Sequence, residues 1–72
     1  MLYSAAVFGL GKYQKSGILE LKKKNFYIIG FDENKDPFSK NDVDKFFKVS
    51  FLDYKKIENI CKKNNIKYLF AF

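Results

Sequence analysis

The chain has 72 residues, enough for a single domain. A domain this short buries a modest share of its surface, yet 47% of its residues are hydrophobic and 19% are aromatic. This excess of apolar surface predicts that more protein covers it, either by formation of a homodimer through exposed apolar surface or by a missing C-terminal part.

The formal net charge of +6 comes from 14 lysines against 8 acidic residues, with no arginine. Arginine is the preferred residue for bidentate contacts to phosphate and guanine, and the lysines are dispersed apart from residues 22–24. We therefore interpret the basic charge as a solvated surface. The sequence predicts no nucleic-acid partner.

Cys61 is the only cysteine, and the chain has no histidine. An intramolecular disulfide, a cysteine- or histidine-based metal site and histidine-mediated proton transfer are therefore excluded. Cys61 lies on an apolar helix face beside Ile57 and Ile60, so we predict burial rather than a nucleophilic role. We find no membrane-length apolar run, which would need about 20 residues, and no signal-peptide pattern. These features predict a cytoplasmic protein with no membrane partner.

The first half of the chain has the pattern of a strand, a turn, a helix and a second strand. Residues 2–8 (LYSAAVF) are short and apolar, as in a parallel strand covered on both faces. Residues 9–13 form the turn, residues 14–24 suit a helix, and residues 26–31 (FYIIGF) read as another buried strand. The residues expected to face inward from the helix are Ile18, Leu19 and Leu21.

The second half begins with a polar loop from residue 32 and contains the only proline, Pro37. Residues 46–51 predict a third strand near an edge, because apolar side chains alternate with Lys48 and Ser50. Asp53 is a favourable N-cap for a second helix. The helix residues at inward spacing are Tyr54, Ile57, Ile60 and Cys61. Residues 66–72 (IKYLFAF) predict a fourth strand.

The resulting order, β-α-β-β-α-β, predicts an α/β fold with a parallel sheet and helices on both faces. With right-handed crossovers and the strand order 3-2-1-4, it is the Rossmann-like half of a doubly wound sheet. Because a buried parallel strand normally leads into a covering helix, the apolar residues 69–72 predict a chain truncated at its C-terminus.

The turn after the first strand has two of the three glycines of a dinucleotide-binding G-x-G-x-x-G motif. Gly9 and Gly11 match the first two positions, but Gln14 replaces the third glycine. We interpret Gly17, one helical turn later, as allowing the helix to pack closely on the first strand. Asp32 ends the second strand, where a Rossmann fold places its ribose-binding acid. These residues are compatible with a dinucleotide site and with a simple strand-to-helix turn.

Three segments together resemble a known domain: GLGKYQ, FYIIGFDENKDP and DVDKFFKVSFLDYKKIENICKKNNIKYLFAF. They are similar to the N-terminal pre-ATP-grasp domain of ATP-grasp ligases, typified by carbamoyl phosphate synthase large chains and related carboxylate–amine ligases. In that family glutamine often follows the glycine turn in place of a third glycine. The sequence departs from the family in having two turn glycines where relatives often have three, and in reading Asp-Val-Asp at residues 42–44.

The resemblance implies that residues 1–72 are one pre-ATP-grasp domain of a longer enzyme. Such an enzyme uses ATP and Mg²⁺ to convert a carboxylate into an acyl phosphate, which an amine then attacks. The resemblance places the ATP clamp and the metal ligands in the missing C-terminal ATP-grasp domains. It therefore implies no catalytic residue, metal ligand or cofactor site here, and an isolated chain that is inactive.

The same resemblance implies that the chain contributes to binding of a small-molecule carboxylate substrate. The residues expected to form that contact are Gly9, Gly11, Gln14 and Asp32. The alternative is an NAD(P)-binding module of an oxidoreductase, which would use the same turn and the same aspartate.

Overall fold

A computed structural model describes residues 3–72 of the chain. It contains four strands and two α-helices: β1 (Tyr3–Phe8), α1 (Lys15–Lys23), β2 (Phe26–Asp32), β3 (Lys45–Lys48), α2 (Tyr54–Lys63) and β4 (Tyr68–Phe70). Short 3-10 turns at Lys12–Gln14 and Lys40–Asp42 precede α1 and β3. In the described chain no helix is long and apolar enough to cross a membrane.

All four strands are parallel and lie in the order β3-β2-β1-β4. The central strand β1 pairs along its whole length with β2, from Tyr3 opposite Phe26 to Phe8 opposite Phe31. On its other side β1 pairs with β4, where Ala5 lies opposite Tyr68. The predicted Rossmann-like half of a doubly wound parallel sheet is confirmed.

Each helix covers one face of the sheet, because successive side chains of a strand point to opposite faces. Val7 and Ile28 form the first core with Ile18 and Leu21 of α1. Their neighbours in the strands form the second core with α2: Ala6, Ile29, Phe31, Ile57 and Ile60. Full burial of one large apolar side chain contributes about 1.5–3 kcal/mol, so these two layers hold the helices on the sheet.

The helix ends follow the sequence signals. Asn25 ends α1 with a φ of 64°, a left-handed conformation that asparagine tolerates better than most residues. Lys22 and Lys23 lie in the last turn of α1, where they oppose the negative end of the helix dipole. Asp53 caps α2, since its carboxylate accepts a hydrogen bond of 3.3 Å from the N–H of Lys56.

Two strands are shorter than predicted, because turns begin inside the apolar runs. After β3, the N–H of Asp53 donates to the Ser50 carbonyl and the N–H of Leu52 to the Ser50 hydroxyl. The predicted strand of residues 46–51 is therefore Lys45–Lys48. Before β4, the N–H of Ile66 still bonds to the Cys61 carbonyl at the end of α2. The predicted strand of residues 66–72 is Tyr68–Phe70.

Two residues expected to face inward are exposed. Leu19 is 41% exposed and Tyr54 is 73% exposed. Leu19 follows the buried Ile18 directly, and one helix packs on the sheet through a limited stripe. Tyr54 opens α2, one turn before the first residue of that helix that reaches the core, Ile57. Leu2, the predicted start of the first strand, lies outside the described residues.

Candidate functional site

The glycine turn lies at the carboxyl end of β1, the edge at which open parallel sheets bind ligands. Gly9 has a φ of 90°, which side-chain-bearing residues rarely adopt. Its N–H donates a 2.8 Å hydrogen bond to the carbonyl of Phe31 in β2. Gly9 therefore turns the chain out of the sheet while staying bonded to the neighbouring strand.

Asp32 lies at the end of β2 and orders this turn through both carboxylate oxygens. Its Oδ2 accepts a 2.8 Å hydrogen bond from the N–H of Leu10, between the two turn glycines. Its Oδ1 accepts a 2.9 Å bond from the N–H of Asn34 in the following loop. Asp32 thus has a structural role that requires no ligand.

Gln14 lies across the turn. A Cβ atom added to Gly11 would be 2.7 Å from Oε1 of Gln14, well inside van der Waals contact. The other end of the same amide donates a 3.3 Å hydrogen bond from Nε2 to the main-chain oxygen of Phe72. The amide of Gln14 therefore occupies the space beside Gly11 and connects the turn to the segment after β4.

Gly17 has a different neighbour from the one predicted. A Cβ at this position would lie 2.8 Å from the aromatic ring of Phe72, and no atom of β1 is among its nearest neighbours. The expectation that Gly17 allows α1 to pack closely on the first strand is therefore wrong. The space that the missing side chain leaves is filled by a ring that follows β4.

The loop between β2 and β3 covers the turn through Ser39, which is fully buried. The N–H of Ser39 donates to the carbonyl of Leu10 at 2.8 Å, and its hydroxyl donates to the carbonyl of Gly11 at 3.1 Å. An ion pair of 2.7 Å between Lys15 and Asp42 joins the same loop to the start of α1. Sequence reasoning missed Ser39, because one serine in a polar loop carries no distinguishing signal.

The structure therefore brings all four predicted residues, Gly9, Gly11, Gln14 and Asp32, around one turn. The carbonyls of Leu10 and Gly11 have partners, whereas within residues 3–72 the N–H groups of Gly11, Lys12 and Tyr13 have none. N–H groups at a helix start favour anions. The arrangement can therefore hold a small anion through backbone donors.

The glycine turn contains neither a group of metal-binding side chains nor the cysteine. Among the described side chains, no group of three or more histidine, cysteine, aspartate or glutamate residues could hold a metal ion. Cys61 is on α2 and packs against the second core; the sequence predicted burial, and the residue is half-buried. Its burial raises the pKa of the thiol above the ordinary value, which keeps it protonated and poorly nucleophilic.

The two turn glycines are predicted to respond differently to alanine. Gly9→Ala should cost about 1–3 kcal/mol, because alanine is strained at a φ of 90°. No atom lies within 4 Å of the added Cβ, so this cost is backbone strain alone. Gly11→Ala, at a φ of −77°, should change stability by no more than about 0.5 kcal/mol while displacing the Gln14 side chain.

Urea denaturation measures both costs, and the NMR signals of the Gln14 side-chain amide report the displacement. Equal costs for the two variants would contradict this assignment of roles.

A scan of protein-family models finds no match to this chain, and a search of curated proteins finds none either. The class of protein is therefore defined by the fold and the turn. The chain is a Rossmann-like α/β domain with four parallel strands in the order 3-2-1-4. Its candidate site is the glycine turn at the carboxyl end of β1.

Proposed function

We propose that this chain is the N-terminal, substrate-side domain of an ATP-dependent ligase that activates a carboxylate as an acyl phosphate for attack by an amine. The strand order and the turn sequence GLGKYQ support it, since both agree with the pre-ATP-grasp domain that the sequence resembles. In this proposal the enzyme is cytoplasmic, and ATP and Mg²⁺ are held by ATP-grasp domains that pack against this one.

The position of Gln14 is the observation that most favours this function over dinucleotide binding. In a dinucleotide site the second glycine lets the pyrophosphate approach the backbone. Here the corresponding space beside Gly11 holds the amide oxygen of Gln14. A pyrophosphate could approach Gly11 on that side only after the glutamine had moved away.

The hydrogen bonds of Asp32 also favour a ligase domain over a dinucleotide-binding module. The ribose-binding acid of a Rossmann site needs carboxylate oxygens directed at a ligand hydroxyl. Both oxygens of Asp32 already accept backbone N–H groups, from Leu10 and Asn34. The position of Asp32 at the end of β2 is thus accounted for by the turn itself, without a bound ribose.

What remains for a ligand is the group of backbone donors at Gly11, Lys12 and Tyr13, one of which belongs to an exposed lysine. This group suits a carboxylate or the phosphate of an acyl phosphate, each a compact anion. The domain would orient that anion, while the phosphoryl transfer itself takes place with groups supplied by the ATP-grasp domains.

The proposal predicts that the isolated chain releases no ADP from ATP and Mg²⁺, yet binds acetyl phosphate weakly. We expect a dissociation constant of about 1 mM, because a few exposed donors in water give little net free energy. An NMR titration should shift the amide signals of residues 11–13. Purified chain with measurable ATP turnover would contradict the proposal.

A matched pair of lysine variants separates a defined site from general attraction to a basic protein. Lys12→Ala should weaken acetyl phosphate binding, because it removes a positive charge from a residue that carries one of the donors. Lys55→Ala, at an exposed lysine on α2, should leave the titration unchanged. Equal weakening by both substitutions, or no shift at residues 11–13, would argue against a substrate-side role for the turn.

A further inference from the structure

The two edges of the sheet differ in how they are protected. The edge strand β3 begins and ends with exposed lysines, Lys45 and Lys48. Charged side chains of this kind discourage pairing with another strand. The opposite edge strand, β4, reads Tyr-Leu-Phe with no charge. Within residues 3–72 no strand pairs with the outer side of β4, so its free backbone groups are open to another segment.

An apolar groove runs beside this unprotected edge, between β4 and α2. Its lining is mostly apolar and comes from both elements, from the link between them and from β1: Phe8, Tyr54, Ile57, Cys61, Ile66 and Leu69. Leu69 lies opposite Ala6 in the sheet, so it points toward α2, yet it is 66% exposed. A strand added beside β4 would direct every second side chain into this groove.

The charge around the groove indicates which kind of segment fits. Lys62, Lys67 and Glu58 lie at its rim, and α2 as a whole carries four lysines against the single acid Glu58. Glu58 pairs with Lys62 at 3.8 Å, and the rim keeps a net positive charge, with two lysines against one acid. An acidic segment is complementary to such a rim, and a basic one is repelled.

We propose that the outer edge of β4 and the adjacent groove bind an extended segment of a partner polypeptide. The segment adds a fifth strand to the sheet, places apolar side chains at alternate positions into the groove, and carries acidic residues that face Lys62 and Lys67. Strand addition of this kind takes affinity from main-chain hydrogen bonds and specificity from side-chain pockets. Binding of such a segment does not depend on the proposed ligase function.

A second copy of the chain is a poorer occupant of the same edge. β4 has three residues, whereas stable interfaces bury about 1,200–2,000 Å² in total. Pairing of β4 with β4 would also bring two identical lysine-rich rims together. Like charges facing each other oppose association.

The test uses three synthetic peptides and the 72-residue chain. The first peptide alternates valine with threonine and has glutamates at both ends, the second replaces these glutamates with lysines, and the third scrambles the first. We expect the first peptide to slow hydrogen exchange and shift the amide signals of Tyr68–Phe70. Its affinity should exceed that of the others by about tenfold and fall with added salt.

Leu69→Glu places a negative charge on the open edge and in the groove, where it opposes strand pairing and repels the acidic ends of the first peptide, so it should abolish binding of that peptide. Leu19→Glu is the matched control, an exposed leucine on α1, and should bind normally. Thermal unfolding of both variants verifies that they fold. Equal binding of acidic and basic peptides, binding that survives Leu69→Glu, or a dimer in light scattering that Leu69→Glu abolishes would each overturn the proposal.

Discussion

Asp32→Ala is expected to lower the free energy of unfolding by about 2–3 kcal/mol, because it removes the charged acceptor of two backbone N–H groups. The bond to Leu10 accounts for most of the loss, since Leu10 is fully buried and water replaces the carboxylate poorly. For a domain stabilised by about 5–15 kcal/mol, this is a large effect. The midpoint of urea denaturation measures it.

Asp36→Ala is the control, because Asp36 is an exposed acid in the loop that follows Asp32. This substitution should cost no more than about 0.5 kcal/mol. The comparison also separates two roles for Asp32. An acid whose role is to bind a ligand commonly adds nothing to the free energy of unfolding, or lowers it, when the ligand is absent. If Asp32→Ala were as stable as Asp36→Ala, Asp32 would not be the structural support of the turn.

Gly30→Ala is expected to cost about 1–3 kcal/mol through overpacking of the first core. The added Cβ would lie 2.7 Å from Cδ1 of Leu10 and 3.0 Å from Cγ1 of Val43. Leu10 is fully buried and cannot move aside without shifting the glycine turn. We therefore expect both a lower denaturation midpoint and altered amide signals at residues 9–13.

A double-mutant cycle with Leu10→Val tests the cause of that loss. Shortening Leu10 removes the methyl groups that an alanine at position 30 would meet. The loss of free energy of unfolding in the double variant should therefore be smaller than the sum of the two single losses. Additive costs would show that the contact with Leu10 is not the source of the destabilisation.

The fold was predictable because each local signal pointed to the same arrangement. Short apolar runs alternate with helical segments, and two helices of about ten residues are long enough to cross over between parallel strands. Asn25 and Asp53 stand where a helix stop and an N-cap are needed, and the structure uses them so. Strand ends were less predictable, because hydrogen bonds to Ser50 and Cys61 end the ladders inside apolar sequence.

The place of the candidate site was also predictable, but its internal contacts were not. Glycines after a first strand and an acid after the second meet at one end of any such sheet. The contact of Gln14 with Phe72 joins residues 58 positions apart, and no local pattern encodes it. The same applies to Gly17, whose neighbour is again Phe72.

Asp44 shows how one residue can be noticed without its role being found. In the sequence it belongs to the Asp-Val-Asp segment at residues 42–44, which departs from the family pattern. In the structure its Oδ2 accepts a 2.8 Å hydrogen bond from the N–H of Ile28, and its own N–H donates to the Ile28 carbonyl. Asp44 thus extends the β2–β3 pairing by one side-chain bond, a role that depends on which strands are neighbours.

We propose that the turn with Gln14 binds small anions through its backbone donors and is not a damaged dinucleotide site. Parallel titrations of the chain with NADH and with inorganic pyrophosphate, followed by the amide signals of residues 9–14, test it most directly. We predict that both bind weakly and within about tenfold of each other, because the nucleosides find no contact. Micromolar binding of NADH that is about a hundredfold tighter than pyrophosphate, and is lost in a folded Asp32→Asn variant, would contradict the claim.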